Sequence, residues 1–569
     1  MVDVLISFDT EHIKKYVFGT DTLKEIRGAS SLLDRLNRVE MENVAKEKKI
    51  DVFPIYMNGG AGLFLVEKGQ EDIFGQAVQA RFREFTGDGS SITYIVQKLP
   101  PDAPPSRDEL LKFPMQETLN LMRYRLQAQK DTPQNYIALP SHPFMRLCDE
   151  CGVEYGEKRH SEPRGQELLL CMSCQKKLKE DDQVKDSITA LIKGGPQALS
   201  AATKSPLWSR VIEKLCTLKY DLPQETKRPQ DFNVFRAFKG ARDYIALIYA
   251  DGNSMGKTIE NFRTLNDIQA FATKVDDGVT IAVSSAIAKH LQVGKLAKPG
   301  VELPKGEGEP LFPFDILLLG GDDIVMVTPA SVALDVALTI VKEFHNYTDE
   351  KHSLSVGVVL APVKYPFGML LELAETTLKF AKKEAAKRRL AATGVVQGEV
   401  GMINFMTVPG SAGRDFKKFY SGLVNTKTEG ANQIDFYATL RPYDTEQFAH
   451  LLDDIREGRR KKLGRTKLHQ LREAILKMNL TTSLSDARGL WRNWYPQQRE
   501  FVWNHLYAFA GRYQQQQYHD NDPLSWSFQR KFPWFADGKN TNIYRTSLLD
   551  FIELYDFVMV EEGDSDDKE

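Results

Sequence analysis

The 569-residue sequence contains no run of about 18 apolar residues, and no apolar segment opens it at Met1. Neither a bilayer-spanning helix nor a secretory leader is therefore expected, and a cytoplasmic protein follows. Net charge is also missing: 75 Lys and Arg against 77 Asp and Glu leave −2. That excludes a generally basic coat, so any nucleic acid must bind through local patches. No Walker-type loop is present to cradle phosphates, and the ten histidines are scattered without a catalytic dyad. Cysteines are few. Four of the five stand in two close pairs, which fits metal binding in a reducing compartment better than a disulfide framework. What remains is ordinary globular material, 42% hydrophobic and 27% charged, in a chain too long for one core, so three or four domains are expected.

Two stretches repeat one order of elements. In the first, a strand over Val4 to Asp9 leads to a long helical stretch through Arg27, Leu32, Leu36 and Val39. A hairpin follows, with Val52 to Met57 and Leu63 to Val66 flanking the turn signal Asn58, Gly59, Gly60, Ala61 and Gly62. A helix from about Gln70 to Phe85 and a strand from Ile92 to Val96 complete a β-α-β-β-α-β unit, the ferredoxin-like arrangement. The second copy begins at Tyr244 to Asp251 and continues with a helix from about Ile268 to Leu291. Its hairpin is Phe314 to Leu319 and Ile324 to Val327, followed by a helix near Val332 to Phe344 and the strand Leu354 to Leu360. A further helix over about Met369 to Arg389 and a strand near Ile403 to Val408 close it. The chain thus reads as α+β, with two such domains bracketing a middle region and a helical domain after them. The expected boundaries are 1–135, 136–240, 241–410 and 411–560, with an acidic tail over 561–569.

Asp251 ends the first strand of the second copy, and Asp322 and Asp323 sit in the turn of the strand pair that should lie beside it. Adjacent carboxylates repel unless a divalent cation neutralises them, and Mg²⁺ favours such oxygens together with substrate phosphates. Two ions held there can activate a 3′-hydroxyl and stabilise a pyrophosphate leaving group. Gly320 and Gly321 permit a tight turn and let a triphosphate approach the backbone, while Gly252 opens a turn whose carbonyl could also face metal. Gly-Gly-Asp-Asp alone also reads simply as a good hairpin turn. Against that stand the apolar flanks Leu317 to Leu319 and Ile324 to Met326, the strand-end motif Ala-Asp-Gly-Asn-Ser-Met-Gly-Lys, and the helix carrying Lys379, Lys382 and Lys383, one of which could meet phosphates. The first copy has Asp9 in the place of Asp251 but no carboxylates in its turn, and should be catalytically dead.

Cys148, Cys151, Cys171 and Cys174 form CxxC-x19-CxxC, two knuckles suited to tetrahedral thiolate zinc. Four cysteines leave no open position for water, so the site should be structural. Cys216, without a partner in the sequence, reads as a buried small apolar residue rather than a ligand. The segment Arg456, Arg459, Arg460, Lys461, Lys462, Arg465 and Lys467 could contact RNA phosphates or form a solvated helix face. Trp491, Trp494, Tyr495, Phe501, Trp503 and Tyr507 read as helical core rather than as base-stacking groups.

With these motifs in view, the sequence resembles the large, polymerase-like subunit of type III CRISPR effector complexes over most of its length. The resemblance is carried by Gly320 to Asp323, by Asp251-Gly-Asn-Ser-Met-Gly, and by Phe18 with the run Leu23 to Ser30. Leu354-Ser-Val-Gly-Val-Val, Ala374-Glu-Thr-Thr-Leu-Lys-Phe-Ala-Lys and the paired CxxC knuckles add to it. It implies two palm domains and conversion of ATP to cyclic oligoadenylates when a guide-RNA complex recognises target RNA. Asp251, Asp322 and Asp323 would hold Mg²⁺ or Mn²⁺, Lys382 would neutralise triphosphate charge, and the partners would be guide RNA, target RNA and other complex subunits. Many relatives carry an N-terminal HD nuclease domain, whereas this chain starts at the first palm, so DNA cleavage is not expected of it. A cyclic dinucleotide or mononucleotide cyclase working outside such a complex, and a non-catalytic RNA-binding scaffold, are the competing readings.

Overall fold

A computed structural model of the chain describes residues 3–131, 144–161, 167–194, 205–223, 226–238, 240, 243–296, 310–391, 400–410, 415–429, 432–479, 482–483, 485–486, 489–490, 493–501, 534–537 and 540–560. The expected tail 561–569 and the aromatics Trp491, Trp503 and Tyr507 lie outside them.

The first copy runs β1 (Asp3–Thr10), α1 (Ile13–Val17), α2 (Leu23–Arg35), a π-helical turn (Leu36–Glu40) and α3 (Met41–Lys48). It continues with β2 (Val52–Asn58), β3 (Ala61–Glu67), α4 (Glu71–Thr86), β4 (Ile92–Gln97) and α5 (Gln116–Asp131). Its sheet has the order β2-β3-β1-β4, with antiparallel neighbours throughout. Side chains alternate across a strand. Ile6, Phe8, Phe64 and Val66 therefore enter the main core with Ile26, Ala29 and Phe74 from α2 and α4. Leu5, Leu63, Leu65 and Ile95 point the other way, onto Leu119 and Met122 of α5. Burial on both faces explains why β1 reads as an almost unbroken apolar run.

Between the copies lie the hairpin β5 (Lys158–Ser161) and β6 (Glu167–Leu170), then α6 (Met172–Gly194) and α7 (Pro206–Thr217). The second copy comprises β7 (Tyr244–Gly252), α8 (Met255–Glu260), α9 (Leu265–His290), β8 (Asp315–Gly320), β9 (Asp323–Pro329), α10 (Ala330–Tyr347), β10 (Leu354–Pro362), α11 (Phe367–Ala391) and β11 (Met402–Thr407). A capping box at Thr264 and Asp267 starts α9, one turn before the sequence-based start. The sheet order is β14-β11-β10-β7-β9-β8, where β14 (Tyr443–Asp444) belongs to the following region. Four of its strands, β10-β7-β9-β8, repeat the order of the first sheet, β11 adds a parallel neighbour to β10, and β14 forms the edge beyond it.

The two copies meet reciprocally. α2 of the first packs on β8 of the second, and α9 of the second packs on β2 of the first. Arg27 donates from Nε to Asp315 Oδ2 at 2.6 Å in a fully buried pair, while Asn58 and Gln269 donate across the interface to Ala272 O and Pro54 O. On the approximate two-fold axis the two hairpin turns touch backbone to backbone. A Cβ on Gly59 would come 3.1 Å from Gly321 Cα, and both glycines have φ of +60°. Only residues without a Cβ fit there.

The C-terminal region holds α12 (Phe416–Leu423), α13 (Thr445–Arg460), α14 (Arg465–Leu476) and α15 (Leu548–Leu554). Beside the expected helices it also forms a four-stranded sheet of order β12-β13-β16-β15: β12 (Val424–Glu429), β13 (Asn432–Tyr437), β15 (Phe535–Asp537) and β16 (Asn540–Arg545). Arg441, fully buried, ties this region together through Asp550 and Glu553, with Tyr443 and Thr439 donating to the same Asp550.

Candidate active site and metal centres

Asp251 lies at the end of central strand β7, whose Ala250 pairs with Ile324 of β9. One residue further on, Asp323 therefore stands beside Asp251. The β8–β9 turn places Asp322 over the backbone after Asp251, so closely that a Cβ on Gly252 would sit 2.4 Å from Asp322 Oδ2. A side chain at that position would displace the Asp322 carboxylate and the Met255 side chain. The loop after β7 is pinned: Asn253 donates to Ser353 Oγ and accepts from Ser355 Oγ, both at 2.8 Å, and its N–H bonds Ser353 O. The three acidic residues named from sequence thus converge, and Asn253, Ser353 and Ser355 are supporting residues that the motif did not single out.

Crowding leaves its mark on ionisation. Burial, then the charge of Asp251, raises Asp322 to about 6. Burial, then Asp251 and Asp322, raises Asp323 to about 7, against the opposing pull of Lys14 and Lys382. Oδ1 of Asp323 is buried with no hydrogen-bond partner among the described residues. An orphaned carboxylate oxygen inside a repelling acidic cluster is what a divalent cation would relieve, so the donor set fits Mg²⁺ or Mn²⁺. Of the three lysines on α11, Lys382 reaches the cluster, with Nζ 2.7 Å from Asp251 Oδ2. Lys379 pairs instead with Glu375 on its own helix, and Lys383 is exposed.

The first copy has the same skeleton without the acidic turn. Asp9 ends β1, and Lys130 on α5 sits 2.7 Å from its Oδ2, as Lys382 on α11 does for Asp251. In each copy the third residue after that aspartate, His12 or Ser254, takes a left-handed conformation and opens the next short helix. Sequence spacing pointed to Asp9 but not to Lys130.

The sulfurs of Cys148, Cys151, Cys171 and Cys174 all lie within 4.8 Å of one another. Tetrahedral zinc thiolate bonds of about 2.3 Å separate sulfurs by roughly 3.8 Å, so this set fits zinc. Cys216 is exposed rather than buried, because it sits on the outer face of α7. The knuckles are fastened to the first copy. Thr22 donates to Glu150 at 2.5 Å, and Lys177 donates to Tyr16 O at 2.7 Å with its amine 4.4 Å above the Tyr16 ring. Asp21, in the same loop, accepts from the N–H of Gly368 at the start of α11.

The basic segment on α13 and α14 is largely engaged within the fold. Arg456 pairs with Asp335 and Asp453, Arg460 and Lys461 with Glu457, and Arg465 with Asp556, while Arg459 donates to Val558 O and Lys467 to Asn493 O.

A βαββαβ sheet with carboxylates gathered at the ends of its two central strands defines a palm domain of nucleotidyltransferase-like fold. Residues 244–391 match the Cas10/Cmr2 second palm domain. The chain is thus Cas10-like, in agreement with the type III CRISPR subunit resemblance carried by its motifs. The CRISPR system Cmr subunit Cmr2 of Pyrococcus furiosus is 24% identical over 214 residues, covering 34% of this chain and 23% of that protein. Among solved structures, an apo Csm1–Csm4 cassette superposes with a TM-score of 0.42 at 14% identity, over 67% of this chain and 53% of the other. The cassette in complex with cA4 gives 0.42 at 13% over the same shares. The chain therefore spans about a quarter of the curated relative and about half of the cassette chain it matches. Among the described residues, no helix is long and apolar enough to cross a membrane.

Proposed function

We propose that the second palm is a metal-dependent nucleotidyltransferase that joins ATP molecules into cyclic oligoadenylates. The setting would be RNA-activated type III CRISPR defence, with guide RNA, target RNA and other effector subunits as partners. The observation that carries this reading is the convergence of Asp251, Asp322 and Asp323, with a buried oxygen on Asp323 that has no partner among the described residues, at the place where the first palm has glycines and no acids.

In this reading Asp251, Asp322 and Asp323 hold the divalent cations. Bound there, the cations supply the Lewis acidity that 3′-hydroxyl attack and pyrophosphate departure require. Lys382, now paired with Asp251, is placed to exchange that carboxylate for triphosphate oxygens once the acids are neutralised. The backbone of Gly320 and Gly321 carries no side chains, so phosphates can approach the turn closely. The apolar hairpin β8–β9 holds the acids rigid, which keeps them from reorganising during the reaction. The Cys148, Cys151, Cys171 and Cys174 set is structural: it anchors the loop that carries Thr22 and Asp21.

The test is incubation of the full chain, with its co-purifying RNA and partners, with labelled ATP or GTP and Mg²⁺ or Mn²⁺, followed by mass spectrometry of the products. Cyclic adenylates that vanish in an Asp322→Ala, Asp323→Ala variant are expected. A cyclic dinucleotide or mononucleotide made without RNA would move the assignment to a stand-alone cyclase. No product under any condition, from folded protein with its partners present, would move it to a scaffold.

A further inference from the structure

The second palm does not contain all of its own positive charge. Helix α1 of the first palm lies over it, and Nζ of Lys14 stands 5.0 Å above the ring of Tyr249 on β7. The same amine is 3.7 Å from Glu375 Oε1 on α11, too far for a hydrogen bond, and its side chain is 49% exposed. Tyr249 marks the centre of this region. It is buried, its hydroxyl has no hydrogen-bond partner among the described residues, and Asp323, Asp251, Glu375 and Asp322 all act on it electrostatically. Lys382 is already bonded to Asp251, whereas among the described residues Lys14 is held by a ring face and a loose ion pair alone. A cation in that state, 3.7 Å from the Glu375 carboxylate and acting electrostatically on Asp323, is suited to a polyanionic ligand that arrives with its own counter-ions.

We propose that Lys14 is a phosphate-binding residue that the first palm supplies to the acidic site of the second, contacting the triphosphate of the bound nucleotide. The proposal rests on the nucleotidyltransferase reading and deepens it. It also assigns the first palm a part in that site: α1 begins at the same offset from Asp9 as α8 does from Asp251, and α8 in turn reaches the first palm, where Arg123 and Gln116 of α5 donate to Ile259 O and Glu260 O. The exchange of short helices is mutual, but only the copy facing the Asp322–Asp323 turn has acids that call for an added cation.

The test is equilibrium binding of ATP and of AMP, in Mg²⁺, to the full chain with its co-purifying partners. Wild type is compared with Lys14→Met, Lys14→Arg and, as a neighbouring control, Lys15→Met. Loss of a charge-assisted contact should weaken ATP binding about tenfold or more in Lys14→Met, with substantial recovery in Lys14→Arg. AMP binding should change less, and Lys15→Met should match wild type. Lys14 lies on an exposed face of a short helix, so equal melting temperatures are expected for all four proteins. ATP binding by Lys14→Met equal to wild type would overturn the Lys14 assignment and leave the nucleotidyltransferase reading intact. Failure of wild type itself to bind ATP would remove both.

Discussion

Replacing Asp323 with Asn should stabilise the cation-free protein while destroying its cation response. Asp323 has an ordinary value of 3.8, raised in the fold to about 7 by burial and by its two acidic neighbours. A carboxyl whose folded value is raised favours folding fully only below its unfolded value, and that contribution is lost as pH climbs to about 7. At pH 8 the wild-type ionised group thus opposes folding by about three units at ~1.4 kcal/mol each, or ~4 kcal/mol. The residue is partly exposed, and solvent screening reduces this to about 1–3 kcal/mol. Asn removes the charge at nearly the same size, so the variant should melt roughly 1–3 °C higher at pH 8. The advantage should shrink progressively below pH 7 and nearly vanish by about pH 4. Mn²⁺ should reverse the order: at a hundredfold excess over its dissociation constant it stabilises wild type by about 2.7 kcal/mol and the variant far less. Differential scanning fluorimetry across pH 4 to 8, with and without Mn²⁺, reads both effects. An advantage independent of pH, or equal stabilisation of both proteins by Mn²⁺, would refute the account of the acidic cluster as a destabilised, cation-requiring site.

The remaining expectations are simpler. Cys148→Ser with Cys151→Ser should release about one zinc per chain and expose the middle region to proteolysis, since metal-binding energy is folding energy in such a module; unchanged metal content by plasma mass spectrometry would count against the site. Lys382→Ala should lower ATP turnover at least tenfold, with the larger part in KM if its role is phosphate charge; steady-state kinetics separate the two. Asp550→Ala leaves Arg441 buried with Glu553 as its one carboxylate partner among the described residues, and should cost about 3–5 kcal/mol in denaturant unfolding.

Much of the two palms was legible because the local signals agreed with one another. Apolar runs bounded by glycine turns marked β2–β3 and β8–β9, and the helices α4, α9 and α10 were read between them; each came within a few residues of its observed bounds. Asp251, Asp322 and Asp323 could be grouped before any coordinates because the βαββαβ order itself places β7 beside β9. The C-terminal sheet could not be read in the same way. Its strands Val424–Glu429 and Asn432–Tyr437 are largely polar, and the parallel pairing of Asp435 with Ile543 joins positions far apart in the chain.

Sequence alone determined the kind of element, the acidic turn and the four-cysteine set, since these depend on neighbours in the chain: a glycine pair that can turn, thiols spaced as knuckles, and carboxylates at strand ends. Only tertiary structure decided which distant charges meet. That Lys382 and not Lys379 faces Asp251, that Lys130 copies this pair in the first palm, and that Lys14 crosses from one palm to the other follow from helix rotation and from the packing of α2 on β8 and α9 on β2. The physical reason is range. Turn and strand preferences act over a few residues, whereas electrostatic partnership depends on a few ångströms of separation between side chains that the chain order does not specify.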